Sequence, residues 1–362
     1  MLTINIEKQL GDMRLSVNAN LPMSGVTAIF GRSGAGKTSL VNILGGLSTP
    51  DAGILKLGGQ ILFQQGKVNL PPEQRGIGYV FQEARLFPHY KVRGNLNYGV
   101  KHKDPELFTR VIELLGIAHL LERYPITLSG GEKQRVAIGR ALLTKPTMLL
   151  MDEPLASLDL PRKRELIPYL QNLAREMHLP IIYVSHSLDE ILQLADHMLV
   201  LSQGQVIAQG PLAQVWNSEQ MRPWLPAKEL SSLLSARIAG RHPDYAMTRL
   251  VLDDGNQLWV NGDVTQSASD RLKVRIQASH VSICIAPPHQ SSIRNQLKGT
   301  IKELYPADDG QQIQLKIALG QDELWANITP WACDELALQV GTTVWAQIKG
   351  VSMGKLDMAM SN

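Results

Sequence analysis

The chain has 362 residues, which at about 150 residues per domain predicts two or three domains. Hydrophobic residues make up 44% and charged residues 19% of the sequence, so it can bury a sizeable core, and long disorder is not expected. Basic residues outnumber acidic ones by only 36 to 33, and no basic stripe stands out, which argues against a nucleic-acid partner.

The N-terminal segment is predicted to run as strand, loop and helix. Residues 1–30 form short alternating runs that end in the apolar run Val26–Phe30, a pattern typical of strands, and they contain no apolar core of signal-peptide length. Gly31–Thr38 breaks the alternation, and helical periodicity follows from Gly36 to Gly46.

Further strands and an insertion of helices are predicted to complete an α/β core that ends near residue 210. Gly78–Phe81 favours a strand, and residues from about 90 to 145 carry apolar side chains at helical spacing. The apolar runs Met148–Met151 and Ile181–Val184 are typical of parallel strands buried on both faces. Because no apolar run approaches the ~20 residues that cross a bilayer, we expect a soluble chain that reaches a membrane only through a partner.

The remainder of the chain is predicted to be an all-β region of small OB-like barrels. Trp216–Pro226 is rich in proline, tryptophan and polar residues and is predicted to be a linker. From about residue 235, short alternating runs are separated by turn residues, and the stretches 235–288 and 291–356 are candidates for two similar barrels. Cys284 and Cys333 lack metal-ligand spacing and are predicted to be free thiols.

A glycine-rich loop between the predicted strand and helix fits the pattern G-x-x-x-x-G-K-[ST]. Its glycines let backbone N–H groups turn toward a phosphate, and the following helix adds its positive N-terminal end. Lys37 is predicted to neutralise the β- and γ-phosphates of a nucleotide, and the Thr38 hydroxyl to ligate Mg²⁺. The predicted nucleotide-binding residues of this loop are Gly31, Arg32, Ser33, Gly34, Ala35, Gly36, Lys37 and Thr38.

Two acidic residues follow the apolar strand Met148–Met151. The strand would deliver Asp152 to the phosphate side of the sheet, where its carboxylate can hold Mg²⁺ through water. Glu153 is predicted to orient or deprotonate the attacking water. An Asp-Glu pair is a weak signal alone, but its place after a buried strand and a phosphate loop makes it strong.

A second helix start that could bind phosphate lies at Leu128–Arg135. Ser129 and the amides of Gly130 and Gly131 would form its N-terminus. The same residues also fit a purely structural cap, in which Ser129 is the N-cap and Glu132 closes a capping box. The two interpretations are compatible.

The order and spacing of these motifs resemble those of ABC-transporter ATPases. The loop, the signature at 128–135, Asp152-Glu153, Ser157-Leu158-Asp159 and His186 follow one another as in that family. The resemblance implies a P-loop ABC ATPase with a helical subdomain, which uses ATP and Mg²⁺ and works as a head-to-tail homodimer.

In such a dimer each ATP would lie between the loop of one subunit and Ser129, Gly130 and Gly131 of the other. Asp159 would link the two sites. The family usually stacks adenine on an aromatic side chain, but the matching position here is Leu10, so no adenine-binding residue is assigned.

The resemblance also implies roles near the γ-phosphate. Gln82 matches the glutamine of the family's Q-loop and, with Glu153 and His186, would be catalytic; His186 would contact the γ-phosphate and sense its loss. Thr38, Gln82 and Asp152 would hold the metal ion.

Two further stretches are similar to the ATPase subunits of ABC-type molybdate importers. Residues 87–96 lie where the family contacts a short helix of the membrane subunit. Residues 292–295 and 346–350 resemble the small molybdate-binding β domain called Mop, although Gly350 stands where that family often has Ala or Ser.

The Mop-like resemblance implies a candidate oxyanion site. A tetrahedral dianion needs hydroxyl and amide donors together with cations, and Ser292, Arg294 and Lys349 could supply them, across a subunit interface. The alternative is that these are solvated surface side chains and that the domain serves only for dimerisation.

The resemblance runs from residue 1 to about 356 and implies three regions. These are an ATP-binding domain at 1–230 with its helical subdomain at about 88–145, a linker and first β region at 231–290, and a Mop-type domain at 291–356. The implied partners are a second copy, two transmembrane permease subunits and, indirectly, a periplasmic oxyanion-binding protein. The implied location is the cytoplasmic face of the inner membrane.

Two alternatives remain open at this point. The cargo could be another solute, such as sulfate, while tungstate is nearly isosteric with molybdate and is expected to be carried with it. The chain could also be an ABC ATPase that transports nothing. Such proteins usually carry two cassettes or long coiled coils, whereas this sequence has a single phosphate loop and no sustained heptads.

Overall fold

The structure is a computed structural model that describes residues 1–156, 158–177, 179–225, 230–262, 271–288, 290–306, 310–349 and 358–360. The chain divides into two compact units, Met1–Leu212 and Ala213–Asn362. The α/β class predicted for the first and the all-β class predicted for the second are both confirmed. Within the described residues, none of the helices combines the length and the apolar character needed to cross a membrane.

The strands of the first unit form one mixed sheet in the order β6-β5-β4-β1-β2-β11-β10-β3-β9-β8-β7. They are β1 (Leu2–Leu10), β2 (Met13–Leu21), β3 (Val26–Phe30), β4 (Ala52–Leu57), β5 (Gln60–Gln64), β6 (Val68–Asn69), β7 (Ile77–Val80), β8 (Met148–Asp152), β9 (Ile181–Val184), β10 (His197–Ser202) and β11 (Gln205–Pro211).

Six α-helices accompany this sheet in the described part of the first unit. They are α1 (Lys37–Gly45), α2 (Val92–Leu96), α3 (Pro105–Leu114), α4 (Gly130–Leu143), α5 (Leu160–Met177) and α6 (Leu188–Leu194). Helices α2, α3 and α4 lie in the chain between β7 and β8, and their apolar side chains, such as Leu96, Val111 and Ile138, are buried.

The predicted site residues follow strands of the parallel part of this sheet, which consists of β10, β3, β9, β8 and β7. Strands β3, β8 and β9 are buried along their whole length, as expected for a sheet covered on both faces. Register pairs Ile29 with Val184, and Asp152 with the same Val184. The loops that follow these three strands therefore leave the same edge of the sheet side by side, which is where ligands bind in open α/β sheets.

A buried arginine fixes the far end of helix α1. The Arg75 side chain is 2% exposed, and its Nη1 donates to the carbonyl oxygens of Ile43 at 2.6 Å and Leu44 at 3.0 Å. These carbonyls belong to the last turn of α1, where a cation is favoured by the helix dipole. Because Arg75 precedes β7, it ties the helix to the sheet.

The second unit begins with α7 (Leu212–Trp216) and carries two antiparallel sheets, in the orders β14-β13-β12-β15-β21 and β16-β20-β17-β18-β19. The strands are β12 (Ser231–Arg241), β13 (Met247–Leu252), β14 (Gln257–Asn261), β15 (Arg271–Gln277), β16 (Val281–Cys284), β17 (Asn295–Pro306), β18 (Ile313–Leu319), β19 (Asp322–Ile328), β20 (Thr343–Ile348) and β21 (Met358–Met360), with helix α8 (Pro330–Glu335) between β19 and β20.

The two sheets do not divide at residue 290, as two sequential barrels would. Strand β16 pairs with β20 in the second sheet, and β21 from the end of the chain pairs with β15 in the first. Buried residues of both sheets, such as Leu234, Ile276 and Leu315, belong to a single hydrophobic core. Each sheet therefore contains one strand from the part of the sequence that supplies most of the other sheet. Cys284 and Cys333 are free thiols, as predicted.

The prediction of a linker at Trp216–Pro226 is wrong for residues 216–225, the part of this segment that the structure describes. Trp216 ends helix α7, is 1% exposed, and its Nε1 donates to the carbonyl oxygen of Ser231 at 3.1 Å. The Arg222 guanidinium lies 3.8 Å from the centre of the Tyr305 ring and donates to Gln314 Oε1 at 2.9 Å. The tryptophan and polar side chains that suggested a linker instead pack this segment onto the β sheets.

Candidate functional site

The phosphate-binding loop joins β3 to α1, and its conformation depends on glycine at two positions. A Cβ atom at Gly31 would lie 2.3 Å from the carbonyl oxygen of Leu201, which is too close for any other residue. Gly36 has φ 99° and is the N-cap of α1, and a Cβ there would meet Leu15 at 2.9 Å. Gly31 is therefore required by the close approach of the Leu201 backbone, and Gly36 by its left-handed backbone conformation.

The N-terminus of α1 is open to an anion. No side chain caps this helix and no acidic residue lies in its first turn. Its N–H groups and its dipole therefore favour a negative ligand at the loop.

Lys37 lies within this loop and is 7% exposed. Its Nζ donates to the carbonyl oxygens of Gly31 at 2.8 Å and Arg32 at 3.1 Å. Burial lowers the pKa of Lys37, and the nearby carboxylates of Glu153 and Asp152 oppose that change. The ammonium group is thus held inside the loop, where a phosphate would compete for it.

A cavity of about 590 Å³ opens over the loop. Its lining brings together residues from the loop, the end of β8 and the loop after β9, as well as the β1–β2 hairpin. The lining residues are Leu10, Met13, Ser33, Gly34, Gly36, Lys37, Thr38, Ser39, Glu153 and His186. Five of the eight predicted loop residues therefore face the same space as the two predicted catalytic residues that follow β8 and β9.

Asp152 and Thr38 form the candidate metal-binding pair. Thr38 Oγ1 donates to Asp152 Oδ1 at 3.4 Å. Burial raises the pKa of Asp152; the Thr38 hydrogen bond lowers it, Glu153 raises it and Lys37 lowers it. A hydroxyl and a carboxylate are the hard oxygen donors that Mg²⁺ prefers, so the pair fits this ion.

No cluster of three or more His, Cys, Asp or Glu side chains suited to a metal occurs within the described residues. Mg²⁺ commonly binds through one or two protein oxygens and takes its other ligands from water and phosphate, so a pair of residues such as Thr38 and Asp152 is enough for it.

Glu153 occupies a strained position beside His186. Its backbone φ is 46°, in the left-handed region that side chains other than glycine rarely adopt, and its N–H donates to the carbonyl oxygen of Val184 at 3.1 Å. Glu153 Oε2 lies 3.3 Å from His186 Nδ1. Strain of this kind clusters at functional sites, since the surrounding fold must hold it in place.

Gln82 is exposed and does not line the cavity in this structure. The segment that carries it is anchored to helix α4. Gln134 Nε2 donates to the carbonyl oxygen of Phe81 at 3.1 Å, and the Arg140 guanidinium donates to those of Ala84 at 3.3 Å and Arg85 at 3.0 Å. The position of Gln82 is thus linked to the helix that begins at the signature segment.

The signature segment forms the capping box that the sequence allows. Ser129 Oγ accepts from the N–H of Glu132 at 3.3 Å, and Glu132 Oε2 accepts from the N–H of Ser129 at 2.7 Å. The hydrogen bond from the Ser129 backbone is the main reason that the pKa of Glu132 is lowered. Ser129 and Gly131 line a small separate cavity, not the one over the phosphate loop.

Asp159 is exposed and caps helix α5, accepting from the N–H of Arg162 at 3.1 Å. Ser157 lies outside the described residues. Within one chain, therefore, the structure does not bring Ser129, Gly131 or Asp159 into the cavity over the phosphate loop.

The three candidate oxyanion-binding residues lie in the second unit. Strand β17 begins at Asn295, which pairs with Ile348 at the end of β20, so Arg294 and Lys349 each lie one residue beyond this pair. Ser292, Arg294 and Lys349 are all exposed. Gly350 lies outside the described residues.

Sequence reasoning overlooked several residues at or near the site. Ser39 and Met13 line the cavity, and Glu190 is a buried carboxylate close to His186. Ser39 could have been found, since it follows the loop motif in the first turn of its helix. Met13 carries no local signal, and the spacing of Glu190 from Ser187 indicates only a helix cap. The partners of both side chains depend on which strands and helices become neighbours.

This site, carried on this sheet, defines the class of ABC-transporter ATPases, and the fold predicted for the chain is confirmed. Residues 15–156 match the ABC transporter family, and residues 291–353 match the TOBE domain. As an ABC ATPase, the chain binds ATP and couples its hydrolysis to transport.

The particular family follows from full-length relatives. A protein of Shewanella sp. (strain MR-7) named molybdenum import ATP-binding protein ModC is 73% identical over 100% of both chains. The protein of the same name from Photobacterium profundum is 58% identical over 99% of this chain and 100% of its own. The chain belongs to the ModC family of molybdenum import ATP-binding proteins.

Solved structures agree with the fold. The protein cbiO1 from Clostridium perfringens, described as part of the ABC transporter complex cbiONQ, is 27% identical with a TM-score of 0.53, over 62% of this chain and 93% of its own. A dimeric structure of the ATP-binding cassette MJ0796 bound to ADP and Pi is 24% identical with a TM-score of 0.50, over 59% of this chain and 99% of its own; it is similar in fold alone.

Proposed function

We propose that this chain is the ATP-hydrolysing motor subunit of an importer that carries molybdate, and tungstate with it, across the inner membrane. The observation that carries the proposal is the identity of 73% along the whole chain to a protein named for molybdenum import. The cavity that joins the phosphate loop to Glu153 and His186 supports the ATPase part of it.

In the proposed mechanism the loop residues 31–38 and the N-terminus of α1 hold the phosphates, and Lys37 exchanges its backbone carbonyl partners for phosphate oxygens. Glu153 orients and deprotonates the attacking water, and His186, 3.3 Å from Glu153, contacts the γ-phosphate. Thr38 and Asp152, with Gln82 from its anchored segment, would hold Mg²⁺, which when bound supplies charge neutralisation at the phosphates.

The second half of each ATP site is proposed to come from another copy of the chain. Ser129, Gly130, Gly131 and Asp159 lie away from the cavity of their own chain. The capping box takes the N–H groups of Ser129 and Glu132, so those of Gly130 and Gly131 are the ones that would meet an anion at the start of α4. A head-to-tail homodimer would place this helix start over the γ-phosphate of the partner's nucleotide. Closure on ATP and opening after hydrolysis would then drive the permeases, through differential binding of the two states.

The proposed contact with the two transmembrane permease subunits lies in the helical insertion. A cavity of about 770 Å³ there is lined by aromatic and basic side chains of residues 89–93 and by helix α3. Tyr90 is 41% exposed, and Lys91 and Arg93 both pair with Glu122 at its rim. Such a concave, partly apolar surface is suited to a short helix of a membrane subunit, which would hold the chain at the cytoplasmic face of the inner membrane.

A transport assay tests the proposed function. In cells that lack their own importer ATPase but keep its permease and periplasmic oxyanion-binding protein, this chain is expected to restore uptake of radioactive molybdate, and the Lys37→Ala chain is not. Restored sulfate uptake without molybdate uptake would contradict the cargo. Co-purification with ribosomes instead of membranes would contradict the transport role.

We also propose that the second unit binds molybdate at Ser292, Arg294 and Lys349, with a partner copy completing the site. The support is that Arg294 and Lys349 each lie one residue beyond the same strand pair, where two cations and a hydroxyl could meet a tetrahedral dianion. The three residues are exposed in a single chain, so a partner is needed to exclude water from the anion.

Calorimetric titration of the full chain with molybdate, tungstate and sulfate tests this site. We expect molybdate and tungstate to release heat and sulfate, which is smaller, to release none. Arg294→Gln should weaken molybdate binding about 10-fold or more, the range for loss of a charge-assisted hydrogen bond. Lys298→Gln removes an exposed charge from the same sheet and is the matched control. If titration with molybdate releases no heat, the proposed oxyanion site is contradicted, and the second unit serves for dimerisation only.

A further inference from the structure

A buried carboxylate lies between the segment of His186 and the helix that follows Asp159. Glu190, in the first turn of α6, is 5% exposed. Its Oε2 accepts from the Tyr183 hydroxyl at 2.9 Å and from Ser185 Oγ at 2.7 Å. Its Oε1 accepts from Lys163 Nζ at 2.8 Å. A buried charge with this many partners is costly to leave half-satisfied, so the network holds its members in place.

The contacts on Oε2 hold the backbone on both sides of His186. Ser185 directly precedes the histidine, and its Oγ also accepts from the N–H of Ser187, directly after it, at 3.0 Å. Tyr183 is 1% exposed in strand β9. Burial, followed by the charge of Glu190, raises the pKa of Tyr183 well above its usual value, so the hydroxyl stays a hydrogen-bond donor. The His186 imidazole is thus carried by a segment in which the residues on both sides, Ser185 and Ser187, are held by hydrogen bonds.

The contact on Oε1 reaches the segment that carries Asp159. Lys163 is in the first turn of α5, and its backbone N–H donates to the carbonyl oxygen of Asp159 at 2.9 Å. The Asp159 carboxylate caps the same turn through the N–H of Arg162. A shift of α5 along its axis would therefore pull on Glu190 through Lys163.

The local sequence predicts a different task for Glu190. Ser187 and Glu190 have the spacing of a capping box, in which the Glu190 side chain would accept from the N–H of Ser187. Ser187 does cap α6, accepting from the N–H of Glu190 at 3.4 Å, but its own N–H is taken by Ser185. Glu190 is left to join two other segments.

We propose that Glu190 is a positioning residue that couples the His186 segment to the Asp159 segment. It touches no substrate and acts through His186. A displacement of α5, such as a partner copy would impose at Asp159, is passed by Lys163 and Glu190 to Ser185 and so to the imidazole. This inference rests on the proposed function of His186 and Asp159.

The test measures kcat, KM for ATP and ATP affinity of the full chain carrying Glu190→Gln, Lys163→Met or Ser185→Ala. Glu190→Gln keeps an acceptor for Tyr183 and Ser185 but sets an amide group beside the Lys163 ammonium. We expect each change to lower kcat about 10-fold, the scale of a lost coupling, with KM and ATP affinity within about twofold of the unchanged chain. Arg164→Met, at an exposed position of the same helix, is the matched control and should leave kcat unchanged.

The double variant Lys163→Met/Ser185→Ala separates coupling from general damage. If Lys163 and Ser185 both act through the Glu190 carboxylate, the fold-decrease in kcat of the double variant will be smaller than the product of the fold-decreases of the two single variants. Independent, multiplicative losses would overturn the link, as would parallel changes in kcat and ATP affinity. Should Glu190→Gln fail to fold, the Lys163 and Ser185 variants decide.

His186→Ala separates this inference from the proposed function. If His186→Ala leaves kcat unchanged, the proposed role of the histidine fails. If His186→Ala lowers kcat while the Glu190, Lys163 and Ser185 variants do not, only the positioning role fails.

Discussion

Replacing Glu153 with glutamine will stop ATP hydrolysis while ATP binding is kept, and the chain will accumulate as an ATP-bound dimer. We expect kcat to fall about 10³-fold, in the middle of the range for loss of a general base, because the amide cannot take a proton from water. Glutamine has the same shape as glutamate and can remain at the strained position with φ 46°. Binding should persist because Lys37 and the loop amides are unchanged.

The measurements are phosphate release and the size of the chain by light scattering with ATP and Mg²⁺. Glu113→Gln, at an exposed position of helix α3, is the matched control and should behave like the unchanged chain. Unaltered hydrolysis in Glu153→Gln would remove Glu153 from the mechanism. A variant that binds ATP but stays monomeric would contradict the shared site formed with Ser129, Gly130 and Gly131.

Replacing Lys37 with alanine will weaken the binding of ATP, a step that precedes hydrolysis. We expect ATP affinity to fall about 10- to 100-fold, which corresponds to one or two charge-assisted hydrogen bonds, and hydrolysis to fall about 10³-fold. The ammonium group is buried in the loop against the carbonyl oxygens of Gly31 and Arg32, and the alanine side chain has no group that reaches this position.

Fluorescence titration with an ATP analogue measures the loss. Lys67→Ala, which removes an exposed lysine from the same unit, is the control and should bind as the unchanged chain does. The fold of Lys37→Ala is checked by its thermal unfolding, because the loop loses two hydrogen bonds. Near-normal ATP affinity in a folded Lys37→Ala chain would contradict the proposed role of the lysine.

Much of this protein could be deduced from local patterns. The phosphate loop is recognisable because its glycines and Lys37 follow one another at fixed spacing between a strand and a helix. The motif is therefore visible in one dimension, although the contact that excludes a side chain at Gly31 comes from the distant Leu201. The apolar strands at 148–151 and 181–184 are buried on both faces, and such strands differ in composition from all others. The motif order was then sufficient to indicate the family.

Contacts between distant segments could not be deduced in the same way. The packed Trp216 was mistaken for part of a linker, because tryptophan next to proline and polar residues says nothing about which surface will cover it. The exchange of β16 and β21 between two sheets was missed for a similar reason. Alternation of apolar side chains identifies a strand but not its neighbour.

Local sequence is enough to identify the phosphate loop, the capping box at Ser129 and the class of each unit, since motif spacing, helix caps and strand alternation are recognised within one loop, one turn of helix or one strand. That Glu153 and His186 share a cavity with Lys37, and that Ser129 lines a different one, depends on how the sheet and helices are assembled. Assembly also makes Glu190, whose spacing from Ser187 fits a helix cap, a link between the His186 segment and helix α5. A side chain's partners depend on the register and packing of whole elements, which no short stretch of residues specifies.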